Sequence, residues 1–201
     1  VKDKLFIIIV TITLLTIKII MDNKPITKEE FPKLVYNLAK KEIVRFPEES
    51  IVRKIDPALV ASIAILESGY GQFKGAPTAM AAKNYFGRRA VFDDDYIKTP
   101  RGTKLKEYNT LEENIKDFLV MMEKGNYYED YRMSLEKNEP IQNQFKAIAK
   151  RYAENPQYSL ALNSIYNTVM KPIKQMDRLS GTYISTGLDE QTKSLMQTAS
   201  P

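Results

Sequence analysis

The segment IDPALVASIAILESGYG, residues 55–71, constrains this chain more than any other, because it is apolar on every side of a helix whose two ends are marked. Asp56 suits the N-cap, Pro57 suits the first helical position where a missing N–H costs nothing, and Gly69 suits the left-handed turn that stops a helix. A helix apolar all round belongs in a core, so the remainder of the fold has to wrap it. One carboxylate breaks the apolar pattern. Val60, Ile63 and Glu67 fall at i, i+3 and i+7, which puts Glu67 on a stripe that apolar side chains otherwise hold. A carboxyl group partly withdrawn from water keeps its proton to higher pH, as a general acid working near neutrality requires. The competing reading is a last-turn glutamate turned to solvent or paired with one of the 30 Lys and Arg residues.

The residue types that are missing narrow the chemistry. There is no Cys and no His, so a disulfide framework, a thiolate metal site, a serine triad, a cysteine protease and a histidine-bound zinc are all set aside. Acid–base work falls to Asp, Glu, Tyr or Lys, which favours mechanisms built on carboxylates, with no cofactor and no metal. The formal charge of +5 is spread along the chain rather than gathered into a basic run. No zinc-finger, RNA-binding or phosphate-loop pattern accompanies it, so nucleic acid is not an expected partner and an anionic surface such as a bacterial wall is.

Lys2 and Lys4 precede the apolar run at residues 5–17, in the order of a secretory signal, and residues 1–21 read as a signal peptide or a membrane anchor. Lys18 interrupts the run, no small-x-small cleavage site follows, and residues 5–21 are long enough to anchor in a membrane if Lys18 snorkels. An exported protein is expected, periplasmic or associated with the cell envelope, membrane-anchored or secreted. Residues 22–28 form a polar linker, with Thr27 capping a helix through Phe31–Val44. A small-residue loop is expected at 72–83 and an irregular β-hairpin at 91–108, turning at Pro100-Arg101-Gly102. Thr110 and Glu113 make a capping box ahead of Leu111, Ile115, Phe118, Leu119 and Met122. A helix from Pro140 carries Phe145, Ile148 and Tyr152, and a last one after Asn155-Pro156 carries Tyr158, Leu162, Ile165 and Val169. The division expected is 22–172 as one catalytic domain and 173–201 as a tail, Ser-, Thr- and Gln-rich from Gly181 and flexible there. The fold class is α+β, mostly helical, with a cleft between a helical lobe and a hairpin lobe.

Four motifs in order, LVASIAILESGYGQF, AAKNYFGRR, YNTLEENIKDFLVMM and IAKRYAENPQYSLAL, resemble the glucosaminidase domain of glycoside hydrolase family 73. They cover roughly 55–169, and the stretch from Asn126 to Tyr152 is closer to the Bax-type branch. The resemblance implies a lysozyme-like fold that hydrolyses the β-1,4 bond between N-acetylglucosamine and N-acetylmuramic acid in peptidoglycan glycan strands. It implies Glu67 as the catalytic acid and Tyr152 as a tyrosine facing it. Asn84, Tyr85 and Phe86 match the Asn-x-Phe-Gly segment lining the family's sugar groove, with Tyr108 and Tyr158 as lesser groove candidates. The second carboxylate is not fixed by a motif. Asp93, Asp94, Asp95 and Glu107 are the candidates and Asp95 the choice, against the reading that they form a solvated hairpin tip, or that the substrate's acetamido group serves instead. Tyr152, and one of Tyr85 and Phe86, are equally readable as core anchors. Two other functions fit the same residues: a lytic transglycosylase or muramidase, and a non-catalytic wall-binding module.

Overall fold

Backbone hydrogen bonds that a helix cannot satisfy internally decide where this chain begins to coil. In the computed structural model, which describes residues 26–92, 94–152 and 157–179, Thr27 Oγ1 accepts from the backbone N–H of Glu30 (3.2 Å), and the Glu30 carboxylate accepts from that of Thr27 (3.2 Å). This reciprocal pair leads into helix α1, Phe31–Ile43, whose Phe31, Val35, Tyr36, Ala39 and Ile43 are all buried. The expected address at 1–21 lies outside the described residues, as do the chain from 180 onward and Asp93. No helix among the described residues is long and apolar enough to cross a membrane.

Helix α2, Pro57–Ser68, has the ends its sequence announces. Asp56 Oδ1 accepts from Ala58 N (2.9 Å), and Gly69 is left-handed at φ 59°, its N–H bonded to Ile65 O. Every residue from Ala58 to Ile65 is buried. Helices that each offer only one apolar stripe pack around it: α1 on one flank, and on another α7 (Tyr158–Ile165) with the π turn Tyr166–Met170 that follows. Helical backbone continues over 171–179, where Lys174 is hydrogen-bonded to the Asp56 carboxylate and Asp177 accepts from Tyr36 Oη (3.1 Å) and Lys40 Nζ (2.7 Å).

The chain then leaves the helical body. The expected small-residue loop contains a short helix, α3 (Pro77–Ala81), whose proline opens it. Strands β1 (Tyr96–Lys98) and β2 (Lys104–Lys106) pair antiparallel, Ile97 opposite Leu105, about a turn in which Gly102 adopts φ 82°. The strands are shorter than the expected span. The other edge of β2 is taken by 88–90, through Lys106 N to Arg88 O and Ala90 N to Lys104 O, both 3.0 Å. None of the hairpin's own side chains joins the apolar core, so this lobe is held mainly by polar contacts.

Helix α4, Leu111–Lys124, starts where the capping box places it: Thr110 Oγ1 accepts from Glu113 N (3.1 Å), while the Glu113 carboxylate reaches one residue further back, to Asn109 N (2.8 Å). It buries Ile115, Phe118, Leu119 and Met122. A 3-10 turn at Asn126–Tyr128, helix α5 (Glu129–Glu136) and helix α6 (Ile141–Tyr152) complete the helical lobe. Helix α5 is not expected from pattern, since its eight residues, EDYRMSLE, bury only Tyr131, Ser134 and Leu135. The expected two-lobed α+β fold, mostly helical with a small hairpin lobe, is the one observed.

Candidate active site

Glu67 lies in the last turn of α2, where the helix emerges from the core. All-round burial ends at Ile65, Leu66 is half-buried, and Glu67 is open to solvent. The solvent it meets is that of a groove of about 910 Å³, shared with Phe86, Gly87, Arg88, Asp117, Met121 and Tyr128 among others. The glutamate is therefore not enclosed in an apolar stripe, as its spacing suggests; it stands on the groove wall. Its carboxyl end is nonetheless crowded. Tyr158 Oη donates to Oε1 at 2.8 Å, and Oε2 faces Gly87 so closely that a Cβ on that glycine would lie 3.5 Å away. Partial burial raises the Glu67 pKa above its ordinary value, and the Tyr158 hydrogen bond opposes that rise without cancelling it.

Tyr158 is buried in the first turn of α7, so the packing of α7 against α2 is what brings a phenol to the glutamate. Tyr152 ends α6, and its side chain lies outside the described residues. Of the tyrosines marked in sequence, Tyr158, a lesser groove candidate, is the one shown hydrogen-bonded to Glu67.

Asn84, a candidate for sugar contact, is 2 % exposed and fully engaged inside the protein. Its Nδ2 donates to the carbonyls of Arg88 (2.7 Å) and Lys106 (2.9 Å), and its Oδ1 accepts from Arg88 N (2.8 Å). It ties the groove loop to β2 and has no free donor for a ligand. Tyr85 is also turned inward, its ring against Phe31 (5.6 Å between centroids) and Phe73 (4.9 Å). Phe86 is both anchor and wall: it stacks on Phe118 at 4.3 Å and still borders the groove. Gly87, at φ 65°, makes the turn after it.

Among the described hairpin acids, none borders the groove that holds Glu67. Asp95 is exposed and pairs with the far strand only through its carbonyl, which accepts from Glu107 N (2.8 Å). Neither Asp95 nor Glu107 borders the groove. Asp94 accepts from Val91 N (3.0 Å) and pairs with Lys106 (2.9 Å).

A second carboxylate does line the groove, and it comes from α4. Asp117 receives Arg88 Nε and Tyr108 Oη on Oδ2, each at 2.8 Å, and Lys106 Nζ on Oδ1 at 2.9 Å. Burial by itself would raise its pKa, but these three donors outweigh burial and hold it below the usual carboxylate value. Burial and the same carboxylate push the Tyr108 phenol far up, so Tyr108 is a buried support for Asp117 and does not face the groove. Arg88 also reaches Met121 Sδ at 2.8 Å. The cluster fastens the hairpin lobe to α4. Tyr128 adds a buried phenol to the groove, its pKa pushed up to about 12 by burial, with the Glu67 charge also raising it and Arg88 lowering it. A sequence signal for part of this existed: Asp117, Val120, Met121 and Lys124 recur at i, i+3, i+4 and i+7, the spacing of a second face on α4.

Residues 45–171 match the family Glucosaminidase, described as mannosyl-glycoprotein endo-beta-N-acetylglucosaminidase. The chain belongs to this family of glycoside hydrolases. Its fold is similar to three solved domains. The catalytic domain of the autolysin Auto from Listeria monocytogenes has a TM-score of 0.58 at 15% identity, with 80% of this chain and 95% of that one covered. The glycoside hydrolase domain of FlgJ from Salmonella typhimurium has a TM-score of 0.53 at 20% identity, covering 82% and 99%. A peptidoglycan hydrolase from Sphingomonas sp. A1 has 0.55 at 16% identity, covering 76% and 94%. No curated protein sequence matches significantly. At these identities the structures speak for the lysozyme-like fold of the glucosaminidase family.

Proposed function

We propose that this glycoside hydrolase acts on peptidoglycan, cleaving the β-1,4 bond between N-acetylglucosamine and N-acetylmuramic acid, with Glu67 as the general acid. One observation carries the reading: a carboxyl of raised pKa, held by Tyr158 on one oxygen, presents its other oxygen to an open groove beside a glycine. Since Oε1 already accepts a hydrogen bond, the transferable proton belongs on Oε2. From there it passes to the glycosidic oxygen of the departing sugar as the anomeric C–O bond breaks and positive charge builds on the ring left behind, and water later returns a proton to the carboxylate. Phe86 and Tyr128 offer apolar and phenolic surface to the sugar rings, and Tyr158 steadies the acid as its charge changes. Asp117 is not assigned a nucleophilic role, because attack would require it to abandon three donors. Asp95, exposed outside the groove, is likewise left out. Water or the substrate's acetamido group completes the displacement.

The similar folds of an autolysin catalytic domain and a peptidoglycan hydrolase support the choice of polymer, and the charged, apolar N-terminal pattern supports export to the envelope. The test is mass spectrometry of fragments released from purified sacculi. Reducing-end N-acetylglucosamine is expected. Reducing-end muramic acid would reassign the protein as a muramidase, and anhydromuramic acid would make it a lytic transglycosylase.

A further inference from the structure

The charges bordering the groove do not balance, and the surplus is cationic. Six charged side chains line it: Glu67, Arg88, Arg89, Asp117, Lys124 and Lys150. Arg88 is neutralised by Asp117 (2.8 Å) and Lys150 by Asp130 (3.0 Å). Arg89 and Lys124 are exposed and form no ion pair among the described residues. They come from separate elements. Arg89 follows Arg88 on the strip that bridges to Leu105 of β2, and Lys124 closes α4, two turns beyond Asp117 on the same face. The Asp117–Arg88 pair thus fixes both ends from which these long side chains extend.

Sugar rings carry no charge, so cations serve a plain polysaccharide poorly. They do serve carboxylates projecting from it, and a flexible side chain several ångströms long reaches substituents standing above the groove better than rings lying in its floor. We infer that Arg89 and Lys124 select substrate by binding the carboxylates of the stem peptides carried on the glycan strand. The inference rests on the hydrolase reading above, and adds to it a preference for peptide-bearing strands over stripped ones. Paired charges at an exposed rim are individually weak and are screened by salt, so the selection is modest and fades as ionic strength rises.

The experiment measures binding of the full chain carrying Glu67→Gln to three soluble probes at low and at physiological salt. These are peptide-bearing glycan strands, the same strands stripped of peptide by an amidase so that only the lactyl carboxylate remains, and neutral chitin oligosaccharides. Peptide-bearing strands should bind roughly three- to tenfold tighter than stripped ones. Adding Arg89→Gln and Lys124→Gln should abolish that difference, while Arg89→Lys with Lys124→Arg should keep most of it. Equal binding to peptide-bearing and stripped strands overturns the inference. So does an equal loss on both in the double variant, which would assign the cations to the lactyl group, and so does no binding to any strand. Hydrolysis is scored separately with the unmodified chain: discrimination in binding without any strand cleavage would sink the hydrolase reading and leave this one standing.

Discussion

Glu67 and Tyr158 form a pair in which each side chain explains the other's setting. Partial burial lifts the acid's pKa and the phenol's hydrogen bond lowers it, so Tyr158 offsets part of what burial does. Replacing Tyr158 with Phe removes only that lowering influence. The alkaline limb of the kcat/KM–pH profile, which reports the free enzyme's acid, should therefore move to higher pH in Tyr158→Phe, with a rate loss of roughly tenfold to a hundredfold at the old optimum. A limb that stays in place, or moves down, would separate Tyr158 from the acid. Gly87 is constrained from the other side. Its positive φ penalises any side chain, and the methyl of an alanine would stand in van der Waals contact with the oxygen given the proton.

At the scale of elements, the ends of α2 and α4 were legible because capping residues act locally. Asp56, Gly69, Thr110 and Glu113 perform the bonds their positions announce. Gly69 has open space around an added Cβ, so Gly69→Ala should cost only the backbone penalty, about 1 kcal/mol, read from the denaturant midpoint. A loss several times larger would mean that packing at the helix end had been misjudged. The sites that sequence missed depend on contacts between distant segments. Asp117 is one polar residue on an amphipathic helix until Arg88, Lys106 and Tyr108 converge on it, 29, 11 and 9 residues away. Asn84 looked like a groove residue because its motif borders the groove, but amide geometry suits it to closing a turn. Asp117→Asn keeps the shape and removes the charge that binds Arg88 and Lys106. We expect a loss of about 2 kcal/mol, given that the cluster is partly solvated, together with a raised KM as the hairpin loosens. Unchanged stability in urea would show that the lobe is held by other contacts.

Across the whole molecule, the lobes are joined by different physics. The helical lobe is held by apolar burial around α2, whereas carboxylates attach the hairpin, Asp117 to Arg88 and Lys106, and join Ile173 in attaching the 171–179 helix, Asp56 to Lys174 and Asp177 to Lys40. The pKa values of Asp117 and Asp177 are lowered in the fold, the first by donors that outweigh burial, the second chiefly by the Lys40 hydrogen bond. A depressed carboxylate contributes stability that is present in full above its unfolded value, near pH 4, and is lost as pH falls through its folded value. Stability should thus be flat with respect to these groups from about pH 5 upward and fall away below about pH 4. Circular dichroism at graded pH checks this, and Asp117→Asn should flatten the acid limb. The general outline was readable because apolar period and caps set it; the attachment of the lobes was not, because charge pairing leaves no period in a sequence.

The claim at the centre is that Glu67 supplies the proton, and Glu67→Gln tests it at one atom. Glutamine keeps an oxygen to accept from Tyr158, and it removes an ionisable group whose raised pKa makes its charge a cost above the ordinary carboxylate range. At neutral pH the variant should melt no lower than the parent, and slightly higher. On purified sacculi it should release fragments at a rate reduced by about a thousandfold or more. A folded Glu67→Gln protein that digests sacculi as fast as the parent would contradict the account.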